Sequence, residues 1–160
     1  MRMNPTRRHS ILALLLCLAL CFAAGWFGAQ FKPGEWYDQL AKPSWTPPNW
    51  LFGPVWGVLY VTMGLSAWLV WQQVGVRKAT LAFVFFVVQL LLNAAWSWVF
   101  FGLRRPGLAF GDIVLLWAAI LVTLVLFWRR RPLSGGLLIP YLIWVSFAAA
   151  LNLSLWRLNA

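Results

Sequence analysis

Acidic residues are nearly absent from this chain: three Asp and Glu in 160 residues, against 13 Lys and Arg. Histidine occurs once, as His9, and cysteine twice, as Cys17 and Cys21. With so few carboxylates and the one His in the N-terminal tail, no carboxylate pair and no nucleophile–His pair for hydrolysis lies inside the apolar runs. The rows of ionisable residues that ion-coupled pumps carry within such runs are missing as well. Cys17 and Cys21 are four apart in one apolar run, on one helix face, and no further Cys completes a metal set. They read as small apolar packing residues, so neither a disulfide framework nor a metal is expected.

Charge of either sign is scarce: 10% of residues, where soluble domains carry about 25%. Hydrophobic residues make up 62% and aromatics 18%, including 13 Trp. A soluble domain of this length buries only about 70% of its extended-chain surface, so much of that apolar excess would face water. Soluble globular and disordered classes are both excluded. The net charge of +10 would point to nucleic acid on a soluble protein. Here the basic residues form knots between apolar runs: Arg7-Arg8, Arg77-Lys78, Arg104-Arg105 and Arg129-Arg130-Arg131. Such knots flank membrane spans beside anionic headgroups, and no nucleic-acid partner is expected.

Five apolar runs, about 10–31, 51–71, 79–101, 108–128 and 133–155, are each long enough to cross about 30 Å of hydrocarbon as a helix. Backbone groups in lipid must be satisfied internally, and the alternation that a membrane barrel needs is absent. The expected fold is an all-α membrane protein, one domain over 1–160, with five transmembrane helices. The first run resembles a secretory signal, with a basic start and Ala23-Ala24-Gly25 near its end, but it exceeds a signal core and reads as the first helix. The N-tail and the second and fourth loops hold eight basic residues, and the other side holds five. That balance places the N-terminus in the cytoplasm of a bacterial cell membrane.

The connection between the first two helices, 32–50, is long and carries Pro33, Pro43, Pro47 and Pro48 among Trp36, Tyr37, Trp45 and Trp50. Prolines fix φ and stiffen a segment without giving it regular structure. Long loops in compact proteins are often lids, while single Trp rings at headgroup depth also form aromatic belts. Within the spans, Gln89, Asn93, Trp96 and Phe100 share one helix face. Trp56, Tyr60, Met63 and Ala67 share another, and Tyr141, Trp144, Ala148 and Asn152 a third, just after a helix-bending Pro140. Gln89 and Asn152 read as interhelical glue; Trp56, Tyr60 and Trp144 read as pocket wall; Asn93 with Trp96 fits either role. Asp112 reads first as a partner for an Arg of the third loop or a helix-start cap. The pairs Gly53/Gly57, Gly107/Gly111 and Ala24/Gly28 mark close helix approach, within the bundle or across a dimer. An aromatic, apolar cavity under a stiff Trp-rich loop suits a flat, π-rich ligand, with Lys32 and Lys42 near the rim for its acidic groups.

The stretch Trp36-Tyr37-Asp38, Lys42-Pro43-Ser44-Trp45-Thr46-Pro47-Pro48-Asn49-Trp50 and Gly53-Pro54-Val55-Trp56-Gly57 resembles the TspO/MBR family of tryptophan-rich sensory and translocator proteins. Leu92-Asn93 with Trp96, Phe100-Phe101-Gly102, Pro140-Tyr141-Leu142-Ile143-Trp144, Leu151-Asn152 and Trp156-Arg157 extend the likeness over nearly the whole chain. The resemblance implies a five-helix bundle, commonly dimeric, that binds protoporphyrin and other heme-type tetrapyrroles, sterol-like lipids, and synthetic isoquinolines or benzodiazepines, with no cofactor required. It puts Trp36, Trp56, Tyr60, Asn93, Trp96, Trp144 and Ala148 at ligand-pocket positions and matches Asp112 to a family position counted with them, while the 32–50 loop, with Trp45, Pro47, Pro48 and Trp50, reads as the lid. Two positions depart from the family pattern. Leu153 stands where its C-terminal sterol motif has an aromatic residue, and Ser97-Trp98 where many relatives have prolines. Three functions follow: a tetrapyrrole-binding receptor or regulator, which fits best; a porphyrin or lipid transporter; and a light- or oxygen-dependent porphyrin-degrading enzyme. In the last, Trp36 and Trp144 would be the redox-active rings.

Overall fold

Lipid-spanning length and proline position between them set the order of elements in the chain. A computed structural model describes residues 7–160; Arg2, counted above with the basic N-terminal tail, lies outside them. The elements are α1 (Arg7–Gly28), α2 (Glu35–Gln39), a 3-10 turn (Asn49–Leu51), α3 (Phe52–Lys78), α4 (Thr80–Ser97), a π turn (Trp98–Gly102), α5 (Pro106–Arg130), α6 (Pro132–Gly136) and α7 (Ile139–Leu158). No strand occurs among the described residues. Among the described residues, five stretches are long and apolar enough to cross a membrane: Arg7–Gly28, Asn49–Lys78, Thr80–Gly102, Pro106–Arg130 and Pro132–Leu158.

Close contacts fix how the helices run past one another. Gly64 meets Leu18, and Gly25 sits against the Tyr60 ring, so α1 and α3 are antiparallel. Near the start of α1, the Trp68 Nε1–H donates to the Ser10 carbonyl at 2.9 Å and Gln72 Nε2 to the Ser10 hydroxyl at 2.8 Å. Gly28 approaches Ser97 and Gly102 approaches Phe31, which aligns the ends of α1 and α4 side by side. Gly107 packs under Trp156, and α5 and α7 are antiparallel. One end of the bundle therefore gathers Gly28, the 3-10 turn, the π turn, Pro106 and Leu158, and the 32–50 loop lies over that end.

Proline and glycine positions explain the breaks. Pro106, Pro132 and Pro140 each occupy the first turn of their helix, where the missing N–H costs nothing. Pro140 therefore begins α7 instead of bending it, and the fifth span is two pieces, α6 and α7. Gly75 (φ 71°) breaks the helical path near the end of α3, a conformation that suits glycine. At Trp98 the helix loosens into the π turn, where Leu103 N–H donates to the Trp98 carbonyl at 2.8 Å. This widening falls just where Ser97-Trp98 departs from the family pattern.

The core runs between the helices through Met63, Ala67, Val70, Phe86, Ile113, Leu116, Ile120, Phe127, Tyr141 and Val145. Helix α1 contributes little to it: Cys21 is its one buried residue. Cys17 and Ala24 pack against the core from one face, while Leu15, Leu16, Leu20 and Trp26 are exposed, as a lipid-facing surface would be.

Candidate functional site

Asn93 sits at the centre of a buried polar chain that crosses three helices. The Tyr60 O–H donates to Asn93 Oδ1 at 2.8 Å, and Asn93 Nδ2 donates to the Tyr141 oxygen at 3.1 Å. All three residues are buried, so the amide and both hydroxyls satisfy one another where water is excluded. Trp56 stacks on Tyr60 (5.6 Å, 25°) and meets Tyr141 edge-on at 6.1 Å. The Trp56 and Tyr60 face of α3, the Asn93 face of α4 and the Tyr141 face of α7 thus converge.

Toward the loop end a second cluster begins. Trp96 stacks on Phe100 (5.1 Å, 27°), and its indole N–H donates to Asn152 Oδ1 at 2.9 Å. Asn152 Nδ2 in turn donates to the Pro106 carbonyl at 2.8 Å. Asn152 is thereby the interhelical glue expected of it. Gln89 is not: both its amide atoms are buried with no hydrogen-bond partner. The loop closes over this cluster. Trp36 and Tyr37 meet Phe100 edge-on at 5.9 and 6.3 Å, and Tyr37 meets Phe101 at 5.5 Å. Trp45 contacts Phe147 at 5.7 Å, Phe52 contacts Trp144 at 5.7 Å, and Trp144 lies 5.5 Å from Phe147.

The rings leave little space. A cavity of about 30 Å³ lies among Tyr37, Phe52, Trp96, Phe100, Ala148 and Leu155, room for about one water. Its walls are almost wholly apolar. The Trp144 indole nitrogen is buried without a partner, leaving one donor at the site unused.

Local bonds hold the loop in place. Thr46 bonds back to the Pro43 carbonyl through its hydroxyl at 2.8 Å and its N–H at 3.0 Å. The Lys42 ammonium donates to the Asp38 carbonyl at 3.0 Å and stands 4.7 Å above the Tyr37 ring. Burial, and then the Asp38 charge, push the Tyr37 hydroxyl above its ordinary pKa. Asn159, just past α7, pairs with Ala41 in the loop.

Of the residues singled out from the sequence, Trp36, Trp45, Trp56, Tyr60, Asn93, Trp96, Trp144 and Ala148 fall in these two adjoining clusters. Trp50 does not: it is 71% exposed and turned outward, whereas Trp45, at 46%, has one face on Phe147. Pro47 is half-buried and Pro48 exposed. Asp112 caps no helix, and its Oδ2 is buried without a partner. Phe52, Phe147, Leu155 and Asn159 also belong to the clusters and their loop. Phe147, Leu151 and Leu155 follow Trp144 at three, four and four, so the helical period carried that signal. Among the described residues, no three His, Cys, Asp or Glu side chains gather as metal ligands would. The small-residue pairs divide as well. A methyl group at Gly28 or Gly107 would meet side chains of this chain, while one at Gly53, Gly57 or Gly111 would meet nothing within 4 Å.

These features define a multi-pass helical membrane protein with an aromatic site inside the bundle, roofed by a proline-stiffened loop. The chain belongs to the TspO/MBR family, whose model matches residues 13–157. It is 48% identical to protein CrtK of Rhodobacter capsulatus over 140 residues, covering 87% of this chain and 88% of that one. To the tryptophan-rich protein TspO of Chlorobaculum tepidum it is 44% identical over 156 residues (93% and 97%). To the human translocator protein it is 44% identical over 137 residues (82% and 81%). Family membership supports a membrane receptor or transporter role.

Proposed function

We propose that this protein is a receptor or regulator that binds porphyrin-type tetrapyrroles, and sterol-like lipids as a second class, between the helices beneath the 32–50 loop. The observation that carries this reading is the double aromatic cluster from Trp56 and Tyr60 to Trp36 and Trp144, an apolar, π-rich lining for a flat ligand. Ligand sites for molecules of this size are typically about 300–1,000 Å³, far above the cavity of about 30 Å³ present here. Binding therefore requires the loop to lift and the rings to part, which gives a receptor two states that a ligand can shift. The protein resides in a bacterial cell membrane with its N-terminus cytoplasmic, and the open faces of Gly53 and Gly57 allow a homodimer to pack closely.

Protoporphyrin titrated into detergent-solubilised protein, followed by Trp fluorescence in dark and light, tests this reading. Saturable quenching with unchanged porphyrin absorbance supports a receptor; absence of saturable quenching removes the proposal. Loss of porphyrin absorbance under light would favour the degrading enzyme. Vectorial movement of porphyrin across proteoliposomes would favour the transporter.

A further inference from the structure

We propose that a second site lies outside the bundle: a groove that takes the phosphodiester headgroup of a membrane glycerophospholipid. The groove has a volume of about 440 Å³ and is lined by Lys32, Glu35, Trp36, Gln39, Phe101 and Arg104. Its depth follows from the fold. Lys32 comes just after α1, Arg104 just after the π turn, and Phe31 packs against Gly102, so the two span ends stand side by side. The groove thus opens where hydrocarbon gives way to headgroups.

Its chemistry matches one class of ligand. Lys32 and Arg104 supply two cations and Glu35 one carboxylate, so the lining carries a single net positive charge, complementary to a phosphodiester monoanion. Arginine's planar fork suits phosphate oxygens. Arg104 is the one non-glycine residue with positive φ (54°) among the described residues; it follows the cap of the π turn, where that conformation ends the helix and sets the arginine beside the groove. Glu35 and Gln39 are one turn apart on α2 and both line the groove. They are placed to bond a headgroup that has its own N–H or O–H groups, such as ethanolamine or glycerol. Methylated choline has no such donor. Trp36 and Phe101 form the apolar wall for the glycerol ester region.

Trp36 borders both sites, but the charged lining of the groove is its own, and the test of this inference contains no porphyrin. The full chain is exchanged into detergent with equimolar phosphatidylethanolamine, phosphatidylglycerol and phosphatidylcholine, and retained lipid is weighed by native mass spectrometry. One retained lipid is expected, ethanolamine or glycerol type over choline by about tenfold. Lys32→Gln and Arg104→Gly should each lower retention by about tenfold. Glycine suits the backbone at 104, so Arg104→Gly is expected to keep wild-type helical content and melting temperature. Inorganic phosphate at the lipid's concentration should displace nothing. Full retention by the Lys32→Gln/Arg104→Gly double variant, equal retention of phosphatidylcholine, or displacement by inorganic phosphate would overturn the proposal.

Discussion

Asn159 and Ala41, 118 residues apart, are joined as two strand residues would be. The Ala41 N–H donates to Asn159 Oδ1 at 2.9 Å, and Asn159 Nδ2 donates back to the Ala41 carbonyl at 3.0 Å. The same Nδ2 also donates to the Leu155 carbonyl at 2.8 Å, which braces the amide on α7. One side chain thus fastens the loop to the helix that carries Trp144 and Ala148. Both bonds to Ala41 are open to solvent, so together they are worth about 1 kcal/mol, or about a fivefold change in the population of the open loop. Asn159→Ala is expected to raise amide exchange around Ala41 and speed porphyrin association by about that factor, read by hydrogen exchange and stopped-flow quenching. Unchanged rates in both would mean that the aromatic contacts alone hold the loop.

The buried chain Tyr60–Asn93–Tyr141 makes a second expectation. Asn93→Ala leaves two hydroxyls unpaired in a water-free interior, at a cost of about 1–3 kcal/mol. Tyr141→Phe leaves one group unpaired, Asn93 Nδ2, and keeps the Tyr60 bond, so it should cost less, about 1 kcal/mol. At about 2–4 °C per kcal/mol for a chain of this size, thermal melts in detergent separate the two. Equal melting temperatures would show that Asn93 contributes no more than a single bond.

Much of this arrangement is legible in the sequence, for physical reasons. Lipid forces the five spans to be long, apolar and helical, and Asn93 with Trp96 stands out because a polar residue inside a span must face protein. What spacing along one helix does not carry is the distance between helices. Trp56, Tyr60 and Trp144 look alike whatever packs beside them; here Trp56 stacks on Tyr60, while Trp144 packs against Phe52 and Phe147. Trp45 and Trp50 flank Pro47-Pro48 symmetrically, yet one rests against Phe147 and the other is 71% exposed. Pro140 reads as a bend until the break at Leu137 and Leu138 puts it in a first turn. Asn159 has no apolar neighbour pattern to flag it, because its partner is the backbone of a distant loop residue.

Gln89 invites a stabilising change. Both polar atoms of its amide are buried without partners, a state that costs roughly 1–3 kcal/mol relative to an apolar side chain of similar shape. Gln89→Leu is expected to raise the melting temperature in detergent, by about 2–4 °C for each kcal/mol recovered. A lower melting temperature would mean that the amide is bonded in solution, for instance to a trapped water.

The last expectation sets two glycines against each other. A methyl group at Gly25 would collide with the Tyr60 ring at Cε2, whereas one at Gly53 would meet nothing within 4 Å. Tyr60 has nowhere simple to go, since its ring is stacked on Trp56 and its hydroxyl is bonded to Asn93. Gly25→Ala should therefore cost about 1–3 kcal/mol through overpacking and weaken porphyrin quenching by displacing Tyr60. Within one protomer Gly53→Ala should be neutral or stabilising by up to about 1 kcal/mol, the helix propensity gained, with any cost confined to close packing between two copies. The pair is read by thermal melts and by the porphyrin titration. Indistinguishable behaviour of the two variants would show that α1 can slide away from Tyr60 at no cost, leaving the first helix outside the wall of the site.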